Sequence, residues 1–326
     1  MSFKEILAQP VAVRILRNAL LGQKLSGAYL FTGPEGVGKR FSVKQLAKAI
    51  NCETGKEEAC DKCLSCRKID SGNHPDLLWI EPKEKSVQIS IEAIRELKKE
   101  ITLRPWEGKR RVAVIVEVER ATEEAQNAFL KMLEETPGST LILLTSVKVE
   151  GVLPTVLSRC KMIHFGPIPS EVIEALLRKE KQISPEAVST LVKLCHGSLG
   201  RAFSMKENFF EEKSEILDHF LERAFHIDEE RGSFEDKETV LTALDLLASW
   251  YRDLWVMKGK PSRKLLFHED RFQDLEEESS RWTENSLETA LSEILNAREM
   301  LDQHVNPKLL LHLLSRRIRE LKTLSQ

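Results

Sequence analysis

The sequence predicts an α/β domain on a mostly parallel sheet, followed by regions that are helical throughout. Three observations predict it. Short apolar runs alternate with helix-period segments over roughly the first 165 residues. A glycine-rich loop lies between one such run and a helix. Beyond Gly166-Pro167-Ile168-Pro169 no strand pattern recurs. At 326 residues, against about 150 per domain, the chain is expected to hold two or three domains. The texture places them at 1–167, 168–206 and 207–326.

The first helix starts after Pro10, with Val11, Ile15, Leu16, Ala19 and Leu20 at helical spacing. Ala28 to Phe31 then reads as a buried strand, and Gly33, Gly36, Gly38 and Lys39 form a loop that opens the next helix, ending near Asn51. A phosphate-binding loop needs two glycines five residues apart, then Lys, then Ser or Thr. Backbone N–H groups cradle phosphate, Lys reaches the outer phosphates and the hydroxyl ligates magnesium. Gly33, Gly38 and Lys39 fit, but Arg40 stands at the hydroxyl position. A guanidinium has no lone pair to offer a cation. The cradle survives and the metal site is damaged. The sequence leaves open whether this loop binds ATP and argues against magnesium there.

Cys52, Cys60, Cys63 and Cys66 have the spacing C-x7-C-x2-C-x2-C. That supplies four thiolates for tetrahedral zinc on a compact knuckle spanning 52–66. Four buried core cysteines are the alternative, but Lys56, Glu57, Glu58, Asp61 and Lys62 leave little apolar surface around them. Four sulfurs leave no open coordination position, so the expected zinc is structural. Cys160 and Cys195 stand alone as small buried residues.

Asp76 to Ile80 predicts a second strand, and Ser90 caps a helix carrying Ile91, Ile94, Leu97 and Ile101. Lys109-Arg110-Arg111, expected to be a solvated edge, leads into a buried strand from Val112 to Val116. In phosphate-loop nucleotidases an acidic pair at such a strand end holds magnesium and positions water. Here Val116 takes the first position and Glu117 alone remains, with solvated Glu117 and Glu119 an equally good reading. Thr122 caps a helix with Glu123 and Glu124 in its first turn and Ala125, Phe129, Met132 and Leu133 on its apolar face. Leu141 to Leu144 forms a further strand.

Past residue 167, Ser170 with Glu171 and Ser184 with Pro185 and Glu186 read as helix starts, and Gly197 and Gly200 punctuate a third short unit. Two long amphipathic helices follow, one through Leu241, Leu244, Ala248, Tyr251 and Trp255, the other through Leu287, Leu291, Ile294 and Leu301. Asn306-Pro307 starts a last helix with Leu310, Leu314, Ile318 and Leu321 along one side.

Lys plus Arg total 49 against 51 Asp plus Glu, so the chain is no basic nucleic-acid coat. No stretch approaches the roughly 18 apolar residues of a membrane span, and the N-terminus lacks a signal-peptide pattern. The expectation is a soluble cytoplasmic protein with reduced cysteines.

Taken in order, the motifs resemble the clamp-loader branch of the AAA+ family. They are Gly33 to Lys39, the four cysteines, His74-Pro75-Asp76, Asn127 to Glu135, Leu157-Ser158-Arg159-Cys160, Gly197-Ser198-Leu199-Gly200-Arg201 and Asn306-Pro307-Lys308-Leu309. The likeness covers nearly all of the first domain and the third mainly near its end. It implies an AAA+ α/β domain, a small helical lid and an all-α collar for oligomerisation. It also implies a hetero-pentamer of motor subunits, a delta subunit and a stator, which opens a sliding clamp with ATP and closes it on primer–template DNA. Ser158 and Arg159 would supply an arginine finger to a neighbour's ATP, and Arg201 holds the position of the family's second sensor. Arg40 and Val116 point to the stator, without ATPase of its own, rather than to a motor subunit. A zinc-stabilised DNA-binding module would explain the cysteines but not the glycine loop.

Overall fold

The computed structural model describes residues 3–22, 25–55, 58–82, 88–180, 183, 185–205, 213–214, 216–218, 237–302 and 305–325. Ser184 and the expected boundary at 206–207 lie outside them. The described residues fall into two compact units, one of residues 1–173 with 197–201, the other of 174–196 with 202–326.

The first unit is built on five parallel strands: β1 (Ala28–Thr32), β2 (Leu77–Ile80), β3 (Arg111–Ile115), β4 (Thr140–Ser146) and β5 (Cys160–His164). Their order is β2-β3-β4-β1-β5. Side chains alternate across the sheet, as the strand period requires. Tyr29, Phe31, Val112, Val114, Leu141 and Leu143 pack with α1 (Pro10–Leu21) and α2 (Lys39–Asn51). Leu30, Ala113, Ile115, Ile142 and Leu144 pack on the opposite face. There they meet α4 (Ile91–Ile101), which follows the short α3 (Leu64–Asp70), together with α5 (Glu123–Glu134) and α6 (Pro154–Leu157). Sheet residues are covered on both faces, which is why β1, β3 and β4 read as unbroken apolar runs.

Strand β5 escapes that reading. It is an edge strand, paired on one side with β1, and Lys161, Met162 and His164 are exposed. Both expected caps form: Ser90 Oγ accepts the Ala93 N–H at 3.4 Å and Thr122 Oγ1 accepts the Ala125 N–H at 3.2 Å.

The basic triplet is a solvated edge only at Lys109, which is exposed, while Arg110 is half-buried. Arg111 is fully buried, Arg110 donates to the Leu25 carbonyl, and Lys109 donates to the Cys52 carbonyl. Asp76, just before β2, holds the same loop. Its carboxylate accepts the N–H groups of Trp106, Glu107 and Gly108 at 2.8, 3.0 and 2.7 Å, and Arg111 Nε lies 3.5 Å away. Burial opposes the charged form, but these N–H donors and Arg111 outweigh it and hold the Asp76 carboxyl below its ordinary value. A depressed folded value means that the stabilisation is present above the unfolded value, near pH 4, and is lost as pH falls through the folded one. Replacing Asp76 with Ala strands three donors. It is expected to cost about 3 kcal/mol or more in denaturant unfolding, and a loss under about 1 kcal/mol would refute this role.

In the second unit, α7 (Ser170–Leu177) and α9 (Leu199–Ser204), which both begin in the first unit, and α8 (Pro185–Leu194) are short. They are followed by α10 (Lys237–Met257), α11 (Phe272–Ser280), α12 (Glu284–Asp302) and α13 (Pro307–Ser325). Asn306 Oδ1 accepts the Leu309 N–H at 3.1 Å and caps α13, and Leu310, Leu314, Ile318 and Leu321 are buried. On α10 the buried stripe is shifted from the expected one. Ala243, Leu244, Leu247, Trp250, Tyr251 and Leu254 are inside, while Trp255 is exposed.

Candidate nucleotide loop, cysteine cluster and arginine turn

The glycine loop joins β1 to α2 at the C-terminal edge of the sheet, where parallel α/β proteins place ligands. Its glycines are needed by the backbone. Gly33, Gly36 and Gly38 all have positive φ, at 139°, 71° and 98°. A side chain on Gly33 would strike the Phe165 carbonyl, and one on Gly36 would strike Ser198 Oγ. The loop is closed upon itself and upon the 197–201 turn. The Gly200 N–H donates to the Gly36 carbonyl at 3.0 Å. Lys39 is 6 % exposed and its Nζ donates to the carbonyls of Gly33 at 2.6 Å and Pro34 at 2.5 Å. Burial pushes its ammonium below the ordinary value, against the fields of Glu119, Glu35 and Glu117. The Lys39 ammonium, which would meet phosphate, is thus engaged with backbone carbonyls of its own loop.

Arg40 points outward to an ion pair with Glu81 just past β2. Val116 is buried and offers no ligand. Glu117 has a left-handed backbone, φ 53°. Its N–H donates to Thr145 Oγ1 at 3.0 Å, and its carboxylate pairs with Arg120 at 2.7 Å. Glu119 Oε1 accepts the Val147 N–H at 2.7 Å. Both acids are engaged and half-buried rather than solvated.

The four cysteines converge. Their sulfurs all lie within 4.8 Å of one another, with Cys52 Sγ and Cys63 Sγ 4.0 Å apart. Four sulfurs on bonds of about 2.3 Å to tetrahedral zinc stand about 3.8 Å apart, so the set is nearly at metal-binding size. Backbone N–H groups already aim at sulfur: Gly55 and Cys60 donate to Cys52, Cys63 to Cys60, and Cys66 to Cys63, at 3.1 to 3.4 Å. Such donors favour thiolate over thiol. The Thr54 hydroxyl, with the backbone N–H groups of Lys62 and Cys63, brings Cys60 down to about 5. At Cys52 burial works upward and is outweighed by N–H donors from Cys60 and Gly55. Burial, with the neighbouring thiols, pushes Cys66 up. The segment is anchored to α2 by the fully buried Lys48, which pairs with Asp61 and, at 2.8 Å, with Asp70. Cys195 is buried in the second unit. Cys160, half-buried, has its thiol pushed up to about 12 by burial.

Arg159 lies between α6 and β5. Nε and Nη2 donate to Glu134 Oε1 at 2.9 and 2.6 Å, and Nη1 donates to the Thr155 carbonyl at 2.9 Å and to Ser158 Oγ at 3.2 Å. Ser158 Oγ in turn donates to the Thr155 carbonyl at 3.0 Å. Arg201 lies in α9, and its N–H donates to Ser198 Oγ at 3.2 Å. The partner Glu134 ends the Asn127 to Glu135 motif region in α5, but nothing in its spacing from Arg159 announces the pair. Asp76 is hidden in the same way, since its donors come from the loop before β3.

The family model for the DNA polymerase III delta subunit matches residues 8–169, and a second model, for the C-terminal region of the delta subunit, matches residues 232–318. The DNA polymerase III subunit delta' of Bacillus subtilis is 30% identical over 308 residues, covering 91% of this chain and 92% of that protein. The tau subunit of the same bacterium is 29% identical over 221 residues, which is 66% of this chain and 39% of tau. Among solved structures, a DNA polymerase III gamma subunit-related protein from Thermotoga maritima superposes with a TM-score of 0.52. It has 16% identity and covers 95% of this chain and 99% of that one, a likeness of fold.

Proposed function

The chain belongs to the DNA polymerase III delta-prime subunit family, and from that premise we propose that it is the non-motor stator of a bacterial clamp loader. In this reading it helps to load the sliding clamp onto primer–template DNA, within a hetero-pentamer that contains motor subunits and a delta subunit. One contrast carries the reading. The chain's own nucleotide site lacks a magnesium ligand at Arg40 and at Val116, while Arg159 stands intact on a half-exposed turn. A guanidinium given in trans stabilises charge on a transferring phosphoryl group, so the chain assists hydrolysis at a neighbour's site and performs none itself.

The isolated chain is therefore expected to hydrolyse no ATP, and the same chain with its partners to support DNA-stimulated hydrolysis. A turnover of order 1 per second by the chain alone, the low end of ordinary enzyme rates, would favour the motor reading instead. Cys52, Cys60, Cys63 and Cys66 would hold one structural zinc, which cross-links the segment between α2 and α3 and takes no part in chemistry. Residues 1–167 serve as the AAA+ domain, 168–206 as the lid that carries Arg201, and 207–326 as the oligomerising collar. Contacts with DNA would fall on phosphates and depend on salt. The working compartment is the bacterial cytoplasm.

A further inference from the structure

A guanidinium has five N–H donors, and in Arg159 four of them are already spent within its own chain: one from Nε and one from Nη2 on Glu134, two from Nη1 on Thr155 and Ser158. A finger has to offer its donors to phosphate oxygens. In this arrangement it is turned back. Glu134 is the last residue of α5, where unsatisfied helix carbonyls add negative potential and favour a cation. The Thr155 carbonyl and the Ser158 hydroxyl hold the opposite edge of the guanidinium. Glu134 therefore offers Arg159 the same chemistry that a phosphate would, a singly charged oxygen anion in hydrogen-bond reach.

We infer that Glu134 is a positioning residue for Arg159, holding the guanidinium against its own chain until a triphosphate on a neighbouring subunit takes it over. This rests on the finger reading above. The exchange swaps one anion for another, so it is nearly balanced, and a half-exposed pair can be broken by a competitor of higher charge. The side chains are 36% and 51% exposed, and an ion pair of that exposure biases an equilibrium by about two- to fivefold.

Glu134→Gln keeps the shape and removes the charge. In the assembled complex with primed DNA and clamp, it is expected to lower the KM for ATP by about two- to fivefold at low salt, with kcat unchanged. The difference from the parent should shrink as salt rises to about 0.5 M, because exposed pairs are screened. A purely structural role for Glu134 would produce neither the split between KM and kcat nor its salt dependence. Loss of kcat would overturn the inference, since Glu134 would then support the engaged finger, and so would an unchanged KM at low salt. Arg159→Ala separates the two levels. If that variant hydrolyses ATP normally, the finger reading itself fails. If it is impaired while Glu134→Gln matches the parent, only the holding role fails. The double variant is expected to match Arg159→Ala alone, because Glu134 acts only through the guanidinium.

Discussion

Arg159→Ala, introduced into the assembled complex, is expected to lower ATP turnover at the site this chain serves by about 10³-fold or more, the range of trans-acting arginines in phosphoryl transfer. The same change should leave the fold and the assembly intact. Arg159 contributes a half-exposed ion pair with Glu134, of a kind worth at most about 1 kcal/mol to stability, and it fills no core. Arg159→Lys should rescue little, because an ammonium is a point charge without the planar fork that meets two phosphate oxygens. The measurement is DNA-stimulated hydrolysis by complexes of equal size on gel filtration. Unchanged hydrolysis would remove the finger role, and a broken complex would make Arg159 an assembly residue instead.

The second large effect concerns the cysteines. Purified chain dialysed against a weak chelator is expected to retain about one zinc, and Cys63→Ser to retain far less and to melt at a lower temperature. Cys63 is the sensitive position because its sulfur does two things: it lies 4.0 Å from Cys52 Sγ, and it accepts the Cys66 N–H at the start of α3. The apparent binding energy of structural zinc reaches about 10 kcal/mol or more in small zinc-folded peptides. In this chain much of that would appear as order in the segment between α2 and α3, since the pairs of Lys48 with Asp61 and Asp70 anchor the segment through contacts that involve none of the sulfurs. Strong chelation should therefore loosen the module without unfolding the sheet. Dialysed protein with no zinc would refute the site.

What was legible in the sequence follows from what is local. The glycine spacing of the loop, the cysteine spacing, the caps at Ser90 and Thr122 and the apolar runs of β1, β3 and β4 are all set within a few residues, and they appear where expected. Strand β5 was not legible, because an edge strand with exposed Lys161, Met162 and His164 carries no apolar run. Arg111 misled for a different reason. Its charge suggests solvent, yet its partners Asp76 and Glu100 come from other elements and take it inside. The Glu134–Arg159 pair joins a helix end to a turn beyond the next strand, and only the folded sheet brings them together. On α10 periodicity found the helix and misplaced its face, since Leu254 and Trp255 are equally apolar neighbours and only packing decides between them.

The place of β1 in the sheet has a consequence for how the protein is made. Ala28 pairs with Ile142 on one side and with Cys160 on the other, so the first strand synthesised receives both neighbours only near the end of its domain. At about 5 to 20 residues per second, that leaves an apolar strand with two open edges for on the order of ten seconds on the ribosome. Other extended chains can dock on such edges during that interval. Nascent chains halted before residue 140 should therefore bind holding chaperones, and those extended past β5 should let them go.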